Sequence, residues 1–300
     1  MIDDVLKVFR ELDSKDFRIL TGIELCMKDY EWVPVGELVR YTRMTAKDLE
    51  YRLSSLIDMD MVIGTLVPYP GYRIYFDGYD ALAINTFVKR GTLNGIGDEI
   101  GVGKESVVHE AVKEPELAIG DTMGVIIKFH REGRTSFRSV KRCRSHLENR
   151  EHFSWIYAAR LAAKREYDVM KKLYPEVSLP EPIDYSRHAI VMAPARGHLL
   201  VKTRLEEPEV FLQKILRQVR IIYSHGIIHS DFSEYNIFVD PDGVEIIDWP
   251  QYVTLEHPHA QELLERDLSN ILTHFERKYG LHTDLGNAVK YVKGEMDKLE

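Results

Sequence analysis

The sequence predicts an α+β chain in two parts: a winged helix-turn-helix over residues 1–90, then a two-lobed domain over 91–300. The strand-rich lobe would run to about 192 and the helical lobe would start near 196. Three observations carry this prediction. Helix-spaced apolar residues fill the N-terminal stretch and give way to two strand-like runs around a proline-rich turn. A glycine-bearing turn between two strand patterns precedes a third strand and a long helix. A short polar bend at 229–236 is followed by a tight hairpin that returns the chain to a second carboxylate.

Val5 to Leu12 and Phe17 to Met27 carry apolar residues at helical spacing, and Val35 to Tyr41 makes a third short helix after Pro34. Thr45-Ala46-Lys47-Asp48 has the form of a capping box, with Asp48 in place of the usual Glu. It opens a helix bearing Leu49, Leu53, Leu56 and Ile57. Met61-Val62-Ile63, the turn Pro68-Tyr69-Pro70-Gly71 and Tyr72 to Phe76 complete a two-stranded wing. In such a fold the helix from Thr45 to Asp58 would enter a groove, with Lys47, Tyr51 and Arg52 as contacts and Arg73 on the wing. Asp48, Glu50 and Asp58 on the same helix make it a thin match for phosphate, so protein docking stands beside nucleic-acid contact as an expectation. Gly78 to Arg90 reads as a connecting helix ended by Gly91.

The next stretch, Gly95 to Ser106, tempts a P-loop reading that fails twice. Asp98 stands where the first glycine of that motif belongs, and Glu105 follows Lys104 where Ser or Thr should. Val107 to Val112 continues as a strand rather than a helix, so the arrangement is the strand-turn-strand of protein kinases, whose backbone N–H groups close over phosphates. Gly101, Gly103, Lys104 and Ser106 are the candidate phosphate contacts, with Ser106 where the third glycine of the kinase pattern would be. Lys128, in the strand Gly124 to Phe129, stands at the distance expected of a lysine that grips the α- and β-phosphates. In the helix from about Phe153 to Tyr174, Ala159, Ala163, Glu166, Met170 and Leu173 share one face. Glu166 is its lone charge. A carboxylate among apolar neighbours demands a cation, and Lys128 is the candidate partner. Between them Arg131, Arg134, Arg138, Lys141, Arg142 and Arg144 form a basic segment expected to be a mobile loop, with Arg138, Lys141 and Arg142 as RNA or ribosome contacts.

Pro180 to Tyr185 and Ala189 to Ala195 read as two strands running into a connector. Met192, Ala193 and Ala195 would meet the adenine there, Ala193 through its carbonyl and Ala195 through its N–H, because Pro194 has none. Val210 to His225, closed by Gly226, is a helix leading to the bend. Asp231 in that bend can orient an attacking hydroxyl or water and take its proton. Asn236 and Asp248 can supply oxygens to Mg²⁺ once the hairpin Ile237-Phe238-Val239 and Val244 to Ile247, turned at Asp240-Pro241-Asp242-Gly243, brings Asp248 back beside Asn236. His229 is read as bracing the bend. His257-Pro258-His259 does not have the helical spacing of a zinc site. Leu263 to Phe275 marks another helix, and a last one starts near Asp284.

Composition sets outer limits. A net charge of -8 disfavours a protein that coats nucleic acid, and two isolated cysteines make no metal or redox motif. No apolar run is long enough to span a bilayer and the acidic start lacks a signal-peptide core, so the expectation is a cytoplasmic protein without membrane contact.

Gly101-Val102-Gly103-Lys104-Glu105-Ser106, His229 to Asn236 and Ile246-Ile247-Asp248-Trp249-Pro250-Gln251 together resemble the RIO family of atypical serine/threonine protein kinases. The winged-helix pattern and Leu264-Glu265-Arg266-Asp267 point to its Rio2 branch. The resemblance covers nearly the whole chain and implies a trimmed bilobal protein-kinase-like fold without the usual peptide-binding lobe. It further implies ATP and Mg²⁺ as cofactors (with Mn²⁺ as a substitute), serine phosphorylation, and ATP hydrolysis through a phosphoaspartate on Asp248. The implied partner is the precursor of the small ribosomal subunit, its rRNA and proteins. Ser233 replaces the usual loop lysine, Ser230 stands where the family has Gly, and Trp249 where Phe is common. Two other readings remain: a small-molecule phosphotransferase of the aminoglycoside or choline type, and a nucleic-acid-binding regulator switched by nucleotide.

Overall fold

The computed structural model describes residues 2–103, 105–114, 122–131 and 154–298. Cα packing divides the chain into two compact units. Unit one comprises Met1–Met123, Ile127–Leu161 and Asp184–Ala189, and unit two Gly124–Ile126, Ala162–Ile183 and Ile190–Glu300.

Unit one begins with the helices α1 (Ile2–Phe9) and α2 (Ser14–Cys26), a short strand β1 (Val33–Pro34), then α3 (Val35–Thr42) and α4 (Ala46–Asp58). Strands β2 (Val62–Thr65) and β3 (Gly71–Ile74) pair antiparallel, with Val62 opposite Ile74, and β1 adds to the other edge of β3. This is the expected winged helix, and β1 is an addition that two residues of sequence cannot signal. Ile19, Leu20, Ile23, Leu38, Leu49 and Leu53 form its core, all with at most 1% of their surface exposed. Thr45 caps α4 by accepting the Asp48 N–H in a one-sided cap, whereas a complete capping box stands on α2, where Asp13 and Asp16 exchange both bonds. Helix α5 (Phe76–Arg90) closes at Gly91, whose φ of +69° is the left-handed conformation glycine adopts without strain. A Cβ on Gly78 would lie 2.3 Å from the Met61 carbonyl oxygen, so α5 packs backbone-close on the start of the wing.

Strands β4 (Gly95–Val102) and β5 (Ser106–Lys113) form the predicted hairpin, Val102 opposite Val107, closed by the Gly103 N–H donating to the Ser106 carbonyl at 2.8 Å. With β6 (Met123–His130), β7 (Pro182–Ser186) and β8 (Ala189–Met192) they make a five-stranded sheet ordered β4-β5-β6-β8-β7. Helix α6 (Ser154–Leu173) buries Ala159, Ala163, Glu166, Met170 and Leu173, the face that periodicity picked out.

Polar side chains of residues 1–90 are tied to the strands that follow. Residues 1–90 cluster with the sheet because polar groups on α2 and α5 are satisfied by the β7–β8 turn and the end of β6. Glu24 takes both Arg187 Nε, at 3.1 Å, and Nη2, at 2.8 Å. Asp184 accepts from Arg90 at 2.8 Å and from Thr92 at 2.9 Å.

Unit two continues with β9 (His198–Leu199), which pairs with β11 (Ile237–Val239), and α7 (Pro208–Ser224), which delivers the chain to β10 (Ile227–Ile228). Strand β12 (Val244–Ile246) is the return arm of the predicted hairpin, Ile237 opposite Ile246, and β13 (Val253–Thr254) pairs with β10. Gly197, φ +81°, allows the chain to cross β11: a Cβ there would be 2.0 Å from the Val239 carbonyl oxygen. Helices α8 (Ala260–Tyr279) and α9 (Leu285–Lys293, N-capped by Asp284) finish the unit. Its core holds Trp249, Phe232, Phe275, Ile215, Leu268 and Ile271.

Candidate active site

The bend after β10 and the turn after β12 are held together by backbone and side-chain bonds. Antiparallel pairing of Ile237 with Ile246 puts Asn236 opposite Ile247, and the Ile247 N–H donates to the Asn236 carbonyl at 3.0 Å. Asp248 follows immediately, in the left-handed region at φ +69°. The Asn236 side chain donates Nδ2 to the Asp231 backbone carbonyl at 2.9 Å. That bond leaves the amide oxygen as its remaining acceptor-type atom. Asp231, Asn236 and Asp248 are thus brought to one loop pair, as their spacing predicted. Asp231 is exposed, Asn236 and Asp248 half-buried.

Three buried side chains, Asp267, Glu166 and His229, and two exposed ones, Arg266 and Asn270, fix this backbone. Asp267, on α8 and 2% exposed, accepts the Ser230 N–H at 2.6 Å and the Phe232 N–H at 3.2 Å, bracketing Asp231. Burial pushes its carboxyl up to about 6, against the opposing pull of those two N–H groups. Arg266 donates to the Ser230 carbonyl, and Asn270 Nδ2 to the Phe232 carbonyl at 3.1 Å. Glu166, 1% exposed, accepts the Trp249 N–H at 3.1 Å, fixing the residue after Asp248. His229 bonds through Nε2 to the Ile247 carbonyl at 3.0 Å. A carbonyl only accepts, so Nε2 carries the proton, and burial lowers the ring's pKa to keep it neutral. His229 braces the loop, as expected.

Asp267 is the functional residue that sequence reasoning passed over. Leu264-Glu265-Arg266-Asp267 marked a family branch, but nothing local told that its aspartate would reach back 37 positions to Ser230. Ser230 adopts φ +63°, a conformation glycine takes more readily, and its hydroxyl donates to the Gln251 carbonyl at 2.7 Å. The extra side chain therefore faces the loop after Asp248.

Lys128 lies in β6 with only 7% exposed. Gly101 lies near the end of β4, Gly103 in the β4–β5 turn and Ser106 at the start of β5, and Lys104 lies outside the described residues. Met192 is buried and ends β8. The Ala193 N–H is taken by the Glu181 carbonyl at 2.9 Å, and Ala195 follows in the connector after β8.

The groove-reading residues fare differently. Lys47 is exposed. Arg52 is turned inward: its Nη1 meets Asp13 at 2.9 Å and Asp16 at 2.7 Å, and Nε meets Asp48 at 3.4 Å. Three carboxylates of its own module therefore hold the Arg52 guanidinium. Arg73 stacks over Trp32 at 5.1 Å. Arg138, Lys141 and Arg142 lie outside the described residues.

Residues 9–90 match the family model for the Rio2 N-terminal region, and residues 107–287 the RIO domain model. The chain belongs to the RIO family, in its Rio2 branch. It is 41% identical to the RIO-type serine/threonine-protein kinase Rio2 of Methanocaldococcus jannaschii over 258 residues, 84% of this chain and 92% of the relative. It is 37% identical to the serine/threonine-protein kinase rio2 of Schizosaccharomyces pombe over 294 residues, 96% of this chain and 83% of the relative. The crystal structure of the Rio2 kinase from Chaetomium thermophilum in an ADP/Mg²⁺-phosphoaspartate complex superposes with a TM-score of 0.81 at 32% identity, covering 95% of this chain and 88% of that one. The Rio2 assignment bears out the family resemblance and the fold class. Among the described residues no helix is long and apolar enough to cross a membrane.

Proposed function

We propose that this Rio2-family chain is an ATP-dependent serine/threonine protein kinase with ATPase activity that acts in maturation of the small ribosomal subunit. The observation that carries the chemistry is the fastened loop pair, with Asn236 bonded to the Asp231 carbonyl and Ile247 bonded back to Asn236. Asp231 receives the proton of the attacking oxygen. The donor set suits a hard cation: an amide oxygen of Asn236, whose nitrogen is committed elsewhere, and the Asp248 carboxylate. Mg²⁺ held there, or Mn²⁺ in its place, would offset the charge of the phosphates. Lys128 grips the phosphates, the β4–β5 hairpin covers them through Gly101, Gly103 and Ser106, and Met192, Ala193 and Ala195 hold the adenine. Glu166, by fixing the Trp249 N–H, keeps Asp248 in its left-handed turn. The phosphoaspartate captured in the Chaetomium thermophilum relative supports Asp248 as the residue that carries phosphate between ATP and water.

Single-turnover mixing with radiolabelled ATP tests this. Label on protein, as acid-stable phosphoserine or base-labile phosphoaspartate, is expected. Transfer to small alcohols alone would support the small-molecule phosphotransferase reading, and neither label nor phosphate release would support the nucleotide-switched regulator. Ribosomal involvement is tested by co-purification with small-subunit precursors. Deleting residues 1–90 is a poor control, because it would remove Glu24 and Asp80 from their buried partners in the same unit. Lys47→Glu, on an exposed site, is the cleaner probe.

A further inference from the structure

Arg131 makes two bonds that join parts of unit one far apart in sequence. Its backbone N–H donates to the Glu105 carbonyl, inside the β4–β5 turn, at 2.7 Å. Its guanidinium Nη2 meets Asp80 Oδ2, on α5, at 2.6 Å, and the group lies over the Phe76 ring at 5.9 Å. The pair is buried: the Arg131 side chain is 9% exposed and that of Asp80 0%. The second Asp80 oxygen accepts His188 Nε2 at 2.7 Å, and His188 stacks on Tyr79 at 4.7 Å. Beside this, the His130 N–H donates to the His188 carbonyl at 2.8 Å. Two residues before His130 in the same strand stands Lys128.

We infer that Asp80 and Arg131 are positioning residues for nucleotide: the connecting helix of the winged-helix module holds, through Arg131, the glycine-bearing turn and the end of the strand that carries Lys128. This rests on the nucleotide reading proposed above. The physical reason is that a buried guanidinium stays where its counter-charge is. When Asp80 loses its charge, Arg131 has every incentive to reach for solvent, and its backbone N–H is the group that anchors Glu105. A guanidinium that bonds Asp80 and lies over the Phe76 ring is a stiffer tie than a lysine, whose ammonium has no planar face to stack. The winged helix thereby acquires a role in the ATP site that requires no nucleic acid.

The test is amide hydrogen exchange across residues 103–106 and 131 in the full chain, together with affinity for a fluorescent ATP analogue. Asp80→Asn is expected to raise exchange in that turn about tenfold and to weaken the analogue about tenfold, with turnover at saturating ATP changed less than about twofold. Asp80→Glu should restore part of both. If Asp80→Asn does not fold, Arg131→Lys carries the same expectation at about threefold. Unchanged exchange and unchanged affinity in a folded variant overturn the inference. Faster exchange in a chain whose wild type binds no ATP analogue would keep the mechanical tie and remove the nucleotide reading on which its purpose depends.

Discussion

The loop pair that carries Asp231, Asn236 and Asp248 and the winged-helix face use charge in opposite ways. Around the loops, Asp267 and Glu166 are buried and each holds backbone N–H groups, so a charge fixes main-chain geometry. On the winged helix, Arg52 is held by Asp48 one turn away on α4 and by Asp13 and Asp16 at the start of α2, so its positive charge is met by carboxylates near the surface. A buried carboxylate bonded to backbone marks a place where position matters, because leaving it unsatisfied is costly. A partly exposed ion-pair cluster marks charge withdrawn from recognition.

The contrast is broken most directly at the loops. Asp248→Ala should reduce phosphate release on the order of a thousandfold, measured as single-turnover phosphate release, while Asp231→Ala slows transfer by at least about a hundredfold and leaves nucleotide bound. Full activity in either would end the enzymatic reading.

Asp267→Asn sharpens it. The variant keeps one accepting oxygen but turns an NH₂ toward the other N–H, so turnover should fall by about ten- to a hundredfold with ATP affinity little changed. Its pH signature has a defined sign. The folded carboxyl holds its proton up to about 6, against about 4 in an unfolded chain. The stability it contributes is therefore complete below about pH 4 and lost as pH rises through about 6. Urea midpoints of wild type and Asp267→Asn should shift relative to each other across that window, in the wild type's disfavour as pH rises, and run parallel above about pH 7.

Glu166→Gln retains an oxygen for the Trp249 N–H, so the unfolding free energy should change by less than about 1 kcal/mol while the Kd for ATP rises several-fold. The smallest effect belongs to the winged helix. Arg52→Ala should cost about 1 kcal/mol in urea denaturation and leave RNA binding unchanged, since its charge is already neutralised at home. A large loss of RNA affinity would show that the ion-pair cluster opens on binding.

Much of this was legible in advance. The hairpin between Asn236 and Asp248 followed from Asp240-Pro241-Asp242-Gly243 between two short apolar runs, and the buried stripe on α6 followed from its spacing. The inward turn of Arg52 was not legible, because Lys47, Tyr51 and Arg52 look alike as exposed positions until α2 is packed beside them. Nor was the half-formed capping box at Thr45, whose Asp48 is drawn to Lys15 at 3.1 Å and to Arg52 instead of the cap.

Residue type and spacing alone determined the elements, the family and the three oxygen-bearing residues of the loop pair, because turns, strand alternation and helical faces depend on neighbours a few positions apart. Only the tertiary structure decided what holds those loops and which distant charges the helices of residues 1–90 meet. Asp80 meets Arg131 across 51 positions and Arg187 meets Glu24 across 163, and no local pattern encodes which buried charge will find which partner.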